Sequence, residues 1–130
     1  MTAIRCGAAL ALALPLALSA TPALAEPGDM SAAAFLAKAD ALRAKGAMAL
    51  LSGDIKLLKA EGQAAGQAYR AQLRADKAAG RTPHSCPPPK SSINSTQIIA
   101  HLRSYPAAQR PRITMKAAIS DLMAKTYPCG

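Results

Sequence analysis

Along most of the chain after residue 30, apolar residues recur every three or four positions, the spacing of one face of an α-helix. The first such stretch follows Ser31, a suitable N-terminal cap, and ends before Gly46, a residue type favoured just after a helix. A second, longer stretch extends from Ile55 to Ala79, with Asp54 as its predicted cap. Strict alternation, which indicates a strand, is almost missing, so the sequence predicts helices.

The long second helix carries an apolar stripe whose middle consists of small residues. Gly62 and Gly66 lie one turn apart on this stripe. A glycine inside a helix costs about 1 kcal/mol relative to alanine, so two of them require a compensating reason. We predict that another helix crosses closely at Gly62 and Gly66. The alternative is that this part of the helix is weak.

Two further helices follow a proline-rich loop over residues 81–92. The third begins after Asn94, which forms a variant of the capping box with Gln97, and the fourth begins after Thr114. A basic loop, residues 107–112, separates them. The chain has one Phe, three Tyr and no Trp, so alanine, leucine, isoleucine and methionine must form the core. Because alanine favours helices over strands, the predicted fold class is all-α, a small four-helix domain.

The N-terminal segment has the three parts of a secretory signal peptide. Arg5 supplies the positive region, an apolar run follows from Ala8 to Leu18, and Ala23 and Ala25 are the small residues that a signal peptidase recognises. The run is shorter than the roughly 20 residues of a membrane-spanning helix. We therefore predict that residues 1–25 are a signal peptide.

The remaining residues, 26–130, are predicted to form a single helical domain that is periplasmic or secreted. Cys6 precedes the apolar run, whereas the lipidated cysteine of a lipoprotein must follow it, so Cys6 is expected to leave with the signal peptide. No second apolar run of comparable length follows, and we expect no stable membrane insertion.

The chain is strongly basic, with 16 Lys and Arg, 7 Asp and Glu and a net charge of +9. Arg5 is the only charged residue of the predicted signal peptide, which leaves +8 on residues 26–130. In an exported protein this charge favours acidic proteins, anionic lipids or cell-wall polymers as partners, and we expect no nucleic acid. A merely solvated basic surface is the alternative. Candidate partner-binding residues are Arg110 and Arg112 in the basic loop. Other basic residues, along the long helix to its end and on the last two helices, could form a binding face with them: Lys56, Lys59, Arg70, Arg74, Lys77, Arg81, Arg103, Lys116 and Lys125.

Two cysteines, Cys86 and Cys129, remain after the predicted cleavage. In an oxidising compartment they favour one disulfide, which would join the proline-rich loop to the end of the fourth helix. Closing a loop of this length stabilises a domain by up to about 4 kcal/mol. The alternatives are free or intermolecular thiols, a redox pair, although the Cys-x-x-Cys spacing is absent, and a metal site that also uses His84 and His101.

Catalytic residues are harder to find in this sequence. Ser85 is adjacent to His84, but no acidic residue lies nearby to orient the histidine, and a surface loop is the expected position for both. His101 is expected at the solvent edge of the third helix, and Asp121 is expected to be exposed on the fourth. We therefore predict a protein that is not an enzyme and that holds no cofactor or metal.

The segment bounded by the two cysteines has a recognisable pattern of a capped helix, a basic loop and a second helix between three proline-containing motifs: Cys86-Pro87, Tyr105-Pro106 and Tyr127-Pro128-Cys129. This pattern resembles the C-terminal half of the Rap/Tai immunity proteins of type VI secretion systems. The resemblance covers roughly 45 residues. Members of that family usually carry a further cysteine pair in the N-terminal half, and this chain has none between Glu26 and Ser85.

The resemblance implies a small exported α-helical protein that binds and blocks a cell-wall amidase effector in the periplasm, often as a dimer. It implies occlusion of the effector's cleft by a surface element, so no catalytic residues carry over. The alternative function is that of a small envelope stress or chaperone-like helical protein. Client protection at low pH would favour this alternative, whereas a specific partner hydrolase would favour the first function.

The predicted signal peptide is tested by the mass of the exported protein. Cleavage after Ala25 should leave Glu26 as the first residue, which intact-mass spectrometry of the protein from a periplasmic extract resolves. A chain that still begins at Met1, or that carries lipid on Cys6, would contradict the prediction.

Overall fold

The structure, a computed structural model, describes residues 25–130, and the predicted signal peptide before Ala25, including Cys6, lies outside them. The described residues form an all-α domain that contains no strand, with one isolated antiparallel bridge between Ser31 and Thr114. The predicted small four-helix fold is therefore confirmed. Its helices are α1 (Ala32–Lys45), α2 (Gly53–Ala78), α3 (Ser95–Ser104) and α4 (Met115–Thr126), with 3₁₀ turns at Gly46–Leu51 and Arg110–Arg112.

Three of the four helices begin at the predicted caps. The side-chain oxygens of Ser31, Asn94 and Thr114 each accept a hydrogen bond from a backbone N–H in the first turn of the helix that follows. The Asn94 side chain and Gln97 form the complete reciprocal capping box. At the other end of α1, Gly46 has φ +56°, a conformation that L side chains rarely adopt, as expected for a glycine that ends a helix.

The predicted cap of α2 is wrong by two residues. Ser52 caps this helix, since its Oγ accepts from the backbone N–H of Asp54 at 3.3 Å. Asp54 lies inside the first turn, where a carboxylate is favoured by the helix dipole. Lys38 of α1 donates to Asp54 Oδ1 at 2.8 Å, and this hydrogen bond lowers the pKa of Asp54. The ion pair thus joins the start of α2 to α1.

The core lies between α2 and α4, which form the most extensive helix pair, and α1 and α3 cover it. Leu102 and Met115 are fully buried, and the small residues Ala32, Ala65 and Ala118 allow the backbones to approach one another. The buried apolar side chains match the predicted composition of the core: Ala32, Phe35, Leu36, Ala65, Tyr69, Leu102, Met115, Ala118, Ile119, Leu122 and Met123.

The segment that precedes α1 is fixed to α2 and α4 at the same time. Glu61 of α2 is buried, and its Oε2 accepts from the backbone N–H of Gly28 at 2.6 Å and of Met30 at 3.2 Å. The carbonyls of the same two residues accept from the first N–H groups of α4, those of Lys116 and Met115, both at 2.9 Å. A backbone segment therefore caps the N-terminus of α4.

The predicted close crossing at Gly62 and Gly66 is wrong. A Cβ atom added at either glycine would meet no atom within 4 Å, so no helix of the described chain crosses α2 there. The close approach occurs instead at Ala65, where a Cβ on Gly28 would lie 3.3 Å from the backbone nitrogen of Ala65. Gly28 has φ +95°, so both the turn and the available space require glycine at this position.

The predicted disulfide is present between Cys86 and Cys129, whose Cα atoms are 4.9 Å apart. It joins the proline-rich loop to the segment after α4, and the backbone N–H of Cys86 also donates to the carbonyl of Tyr127 at 2.8 Å. Because each sulfur is bonded to the other, neither cysteine serves as a metal ligand in this state. Among the described residues, no helix has both the length and the apolar character needed to cross a bilayer.

Removing the disulfide should destabilise the domain. A Cys86→Ser/Cys129→Ser variant is expected to lose up to about 4 kcal/mol of unfolding free energy, because the unfolded chain regains the conformations that the closed loop denies it. Thermal unfolding followed by circular dichroism measures the change. Reductant should lower the Tm of the wild type and leave the Tm of the variant unchanged. A wild-type Tm that is the same with and without reductant would contradict a stabilising role for the disulfide.

Candidate functional site

A long groove runs along α2, between α1 and α3 and the proline-rich loop. Its larger part has a volume of about 930 Å³ and its smaller part about 340 Å³. Both parts are lined by Gly66, Arg70 and Ile93, so they form one continuous depression, which we call the α2 groove. The α2 residues that line it extend from Ile55 to Arg74, a length of about 30 Å at 1.5 Å per helical residue.

The α2 groove exists because two adjacent turns of α2 lack side chains on this face. Gly62 and Gly66 both line it, and a Cβ at either position would point into open space. The walls beside them are large and apolar, so they leave hydrophobic surface in contact with solvent. These walls include Phe35 and Leu42 from α1, Ile55 and Leu58 from α2, and Ile98 and Ile99 from α3.

Positive charge accompanies this apolar surface. Lys59, Arg70 and Arg74 of α2 are exposed and line the groove, and within the described part of the chain no Asp or Glu lines either part of it. A concave site of one charge sign concentrates its field on a ligand of opposite sign. The groove is therefore suited to a ligand that is apolar on one side and acidic on the other.

The predicted partner-binding pair, Arg110 and Arg112, lies outside the groove. Arg110 is partly buried, and its guanidinium donates to the carbonyls of Tyr105 at 2.9 Å and of Arg103 at 2.7 Å. It thereby satisfies carbonyl groups at the C-terminal end of α3, an internal role that the sequence analysis missed. Arg112 is exposed, and its side chain forms no hydrogen bond or ion pair with the described residues. Partner binding at this loop stays a prediction.

His101 is buried rather than at the solvent edge, contrary to the prediction. Its Nε2 lies 2.9 Å from the hydroxyl of Tyr105, one turn later on α3, and 3.1 Å from Oδ2 of Asp121 on α4. The Tyr105 hydroxyl donates to the same Asp121 oxygen at 2.6 Å. Asp121 is only partly exposed and also pairs with Lys125 at 3.0 Å. The contacts of His101 and Tyr105 with Asp121 thus link α3 to α4.

The electrostatics of this cluster follow from its burial. Burial is the largest influence on His101 and lowers its pKa, although Asp121 opposes the effect. Burial also raises the pKa of Tyr105, and the adjacent Asp121 raises it further. For Asp121, burial alone would raise the pKa, but the hydrogen bonds from Tyr105 and Lys125 outweigh it and lower the value. None of these residues lines the α2 groove. The cluster therefore contributes to the packing of α3 against α4.

Ser85 is buried, contrary to the predicted surface position, and its Oγ lies 2.6 Å from the hydroxyl of Tyr69. The neighbouring His84 is exposed, and its Nε2 lies 2.6 Å from Oγ of Ser120 on α4. A serine and a histidine thus meet, but no carboxylate of the described residues contacts this histidine to orient it. The described residues also contain no group of three or more His, Cys, Asp or Glu placed to hold a metal ion.

Comparisons with protein-family models, with curated proteins and with solved structures found no match for this chain. The resemblance of the segment between Cys86 and Cys129 to immunity proteins rests on its residue pattern alone.

Arg110 and Arg112 form a matched pair for testing the role of the basic loop. Arg110→Ala should lower the unfolding free energy by about 1–2 kcal/mol, because carbonyl groups at the end of α3 lose a charged donor. Arg112→Ala should change it by less than about 0.5 kcal/mol, as expected for an exposed side chain without a partner. Urea unfolding of both variants measures the difference. Equal stabilities would show that the Arg110 contacts contribute nothing.

Proposed function

We propose that this protein is an exported binding protein whose α2 groove holds an acidic amphipathic helix of a partner protein. The observation that carries the proposal is the combination, in the α2 groove, of apolar walls with lining cations and, among the described residues, no lining carboxylate. The proposed ligand presents an apolar face to the walls and carboxylates to Lys59, Arg70 and Arg74.

The dimensions of the α2 groove favour a helix as the ligand. A groove of about 30 Å matches an α-helix of about 20 residues. Helix-in-groove recognition uses apolar side chains at intervals of three and four residues, which contact opposite walls of an apolar channel. The absence of side chains at Gly62 and Gly66 lets the backbone of such a helix approach α2 closely. The glycine pair then serves a helix crossing between two proteins rather than within one.

The cations of the groove contribute mainly to the rate and orientation of association. Arg70 and Arg74 lie one turn apart on α2, and Lys59 lies about three turns before them. Exposed charges of this kind attract an acidic partner over distances of about 8 Å at physiological ionic strength. Association should therefore slow as salt rises, while the apolar contact sets most of the dissociation rate.

Two further features support an envelope protein as the partner. The Cys86–Cys129 disulfide is typical of an oxidising compartment such as the periplasm, in agreement with the predicted signal peptide. The pattern between these cysteines resembles immunity proteins, so a cell-wall amidase effector of type VI secretion is the specific partner that we propose. Inhibition would occur by occlusion, and turnover by this chain is not part of the proposal. The lining of the groove contains no carboxylate, histidine or cysteine among the described residues.

The α2 groove can be filled without disturbing the fold. In a Gly62→Leu/Gly66→Leu variant the Cβ atom at each position meets no atom within 4 Å and the leucines extend into the groove, while each replacement removes a helix-interior glycine, which favours the helix by up to about 1 kcal/mol. The variant should therefore be at least as stable as the wild type and should no longer bind a partner helix. The probe is a fluorescent amphipathic peptide with a leucine face flanked by glutamates, measured by fluorescence anisotropy against the same peptide with lysines in place of the glutamates.

The acidic peptide should bind the wild type, and the lysine peptide should bind at least about tenfold more weakly. Arg70→Gln should weaken binding of the acidic peptide about fivefold, whereas Lys77→Gln, on the same helix but outside the groove, should leave it unchanged. A filled variant that binds as tightly as the wild type contradicts the proposal. Equal binding of both peptides would instead favour the chaperone-like function, in which apolar clients are held irrespective of charge.

A further inference from the structure

The 3₁₀ turn between α1 and α2 exposes large apolar side chains. Leu50 and Leu51 are each 81% exposed and Met48 is 64% exposed. We call these three residues the apolar turn. None of them lines the α2 groove, and all three lie in the connection between α1 and α2. Scattered exposed leucines are common, but three large apolar side chains within four residues of one turn form a patch.

Cations flank the apolar turn on both sides. Arg43 and Lys45 lie in the last turn of α1, Lys56 and Lys59 lie near the start of α2, and all four are exposed. The nearest carboxylate along the chain is Asp54, and it is already paired with Lys38 at 2.8 Å. The patch therefore combines protruding apolar side chains with surplus positive charge.

We propose that the apolar turn inserts into the surface of an anionic phospholipid bilayer. Headgroup phosphates would contact the flanking lysines and arginine, while Leu50 and Leu51 would enter the boundary between headgroups and acyl chains. Basic residues beside apolar side chains bind anionic membranes through the sum of these two contributions. The association is peripheral, since no helix of the described residues is able to span a membrane.

The shape of the patch distinguishes lipid from other occupants. A partner helix requires a concave receptor, which the α2 groove provides, whereas the apolar turn projects from a connection between helices. A second copy of the chain would place this basic region against another positive surface: either the same basic region of the other copy, as in a two-fold dimer, or the α2 groove with Lys59, Arg70 and Arg74. A bilayer has no fixed shape to match, and its anionic headgroups complement the charge.

Co-sedimentation with lipid vesicles tests the proposal. The full chain, expressed for export and purified with its disulfide intact, should bind vesicles that contain phosphatidylglycerol and should bind pure phosphatidylcholine vesicles about tenfold more weakly. A Leu50→Ser/Leu51→Ser variant should lose binding by about tenfold or more. Its Tm should equal that of the wild type, because both side chains are mostly exposed. Wild type and variant share the same N-terminal segment, so their difference reports on the apolar turn.

A charge-matched pair of variants completes the test. Lys45→Gln/Lys56→Gln should weaken vesicle binding about tenfold, whereas Lys77→Gln/Lys90→Gln, with the same net charge and exposed positions elsewhere, should weaken it less than about twofold. Undiminished vesicle binding by the leucine variant overturns the proposal. A second result would also overturn it: the wild type forms a concentration-dependent oligomer in analytical ultracentrifugation, the leucine variant does not, and neither protein binds lipid. The apolar turn would then contact a second copy of the chain. Peptide binding in the α2 groove is measured separately, so the failure of either proposal leaves the other standing.

Discussion

A buried carboxylate organises the arrangement of the helices. Glu61 lies on the inner face of α2, and its Oε2 accepts from the backbone N–H groups of Gly28 and Met30, so backbone donors satisfy this oxygen. The carbonyls of these same residues receive the first N–H groups of α4. One short segment thus connects α2 to the N-terminus of α4. Replacing Glu61 by an apolar residue would leave buried backbone donors unpaired, a larger cost than the loss of one side-chain hydrogen bond.

The sequence predicted the features that depend on local chemistry and missed those that depend on residues far apart in the chain. The caps at Ser31, Asn94 and Thr114 follow from side chains that bond three residues ahead, and composition was enough to predict an all-α core. Ser85 and His101 were placed at the surface because their partners, Tyr69 and Asp121, are distant in sequence. The glycine pair of α2 predicted a close helix crossing, but Gly62 and Gly66 face open space, because whether another element of the fold reaches this face of α2 depends on tertiary packing.

The α2 groove is concave and the apolar turn protrudes, but both are apolar surfaces beside positive charge. A concave apolar surface fits a ligand with a convex apolar face, whereas protruding apolar side chains fit a partner's pocket or a medium that deforms around them, such as a bilayer. The proline-rich loop contributes both to the groove and to the covalent link, because Pro87 and Pro88 line the groove and Cys86 forms the disulfide. The covalent link therefore holds one wall of the groove against α4 and limits how far the site can open.

The contacts of Gly28 with α4 also bear on the order in which the domain folds. Residues close to the N-terminus of the described domain cap a helix that begins only at Met115, and the disulfide requires Cys129. Contacts so far apart in sequence form late, because closing the intervening chain costs entropy before any contact compensates for it. The segment around Gly28 therefore lacks its partners on α4 until Met115 and Lys116 come into place, near the end of the domain. The topology therefore makes folding of this domain depend on both of its ends at once, and a chain truncated before Met115 would lack the contacts that fix the segment before α1 to α4.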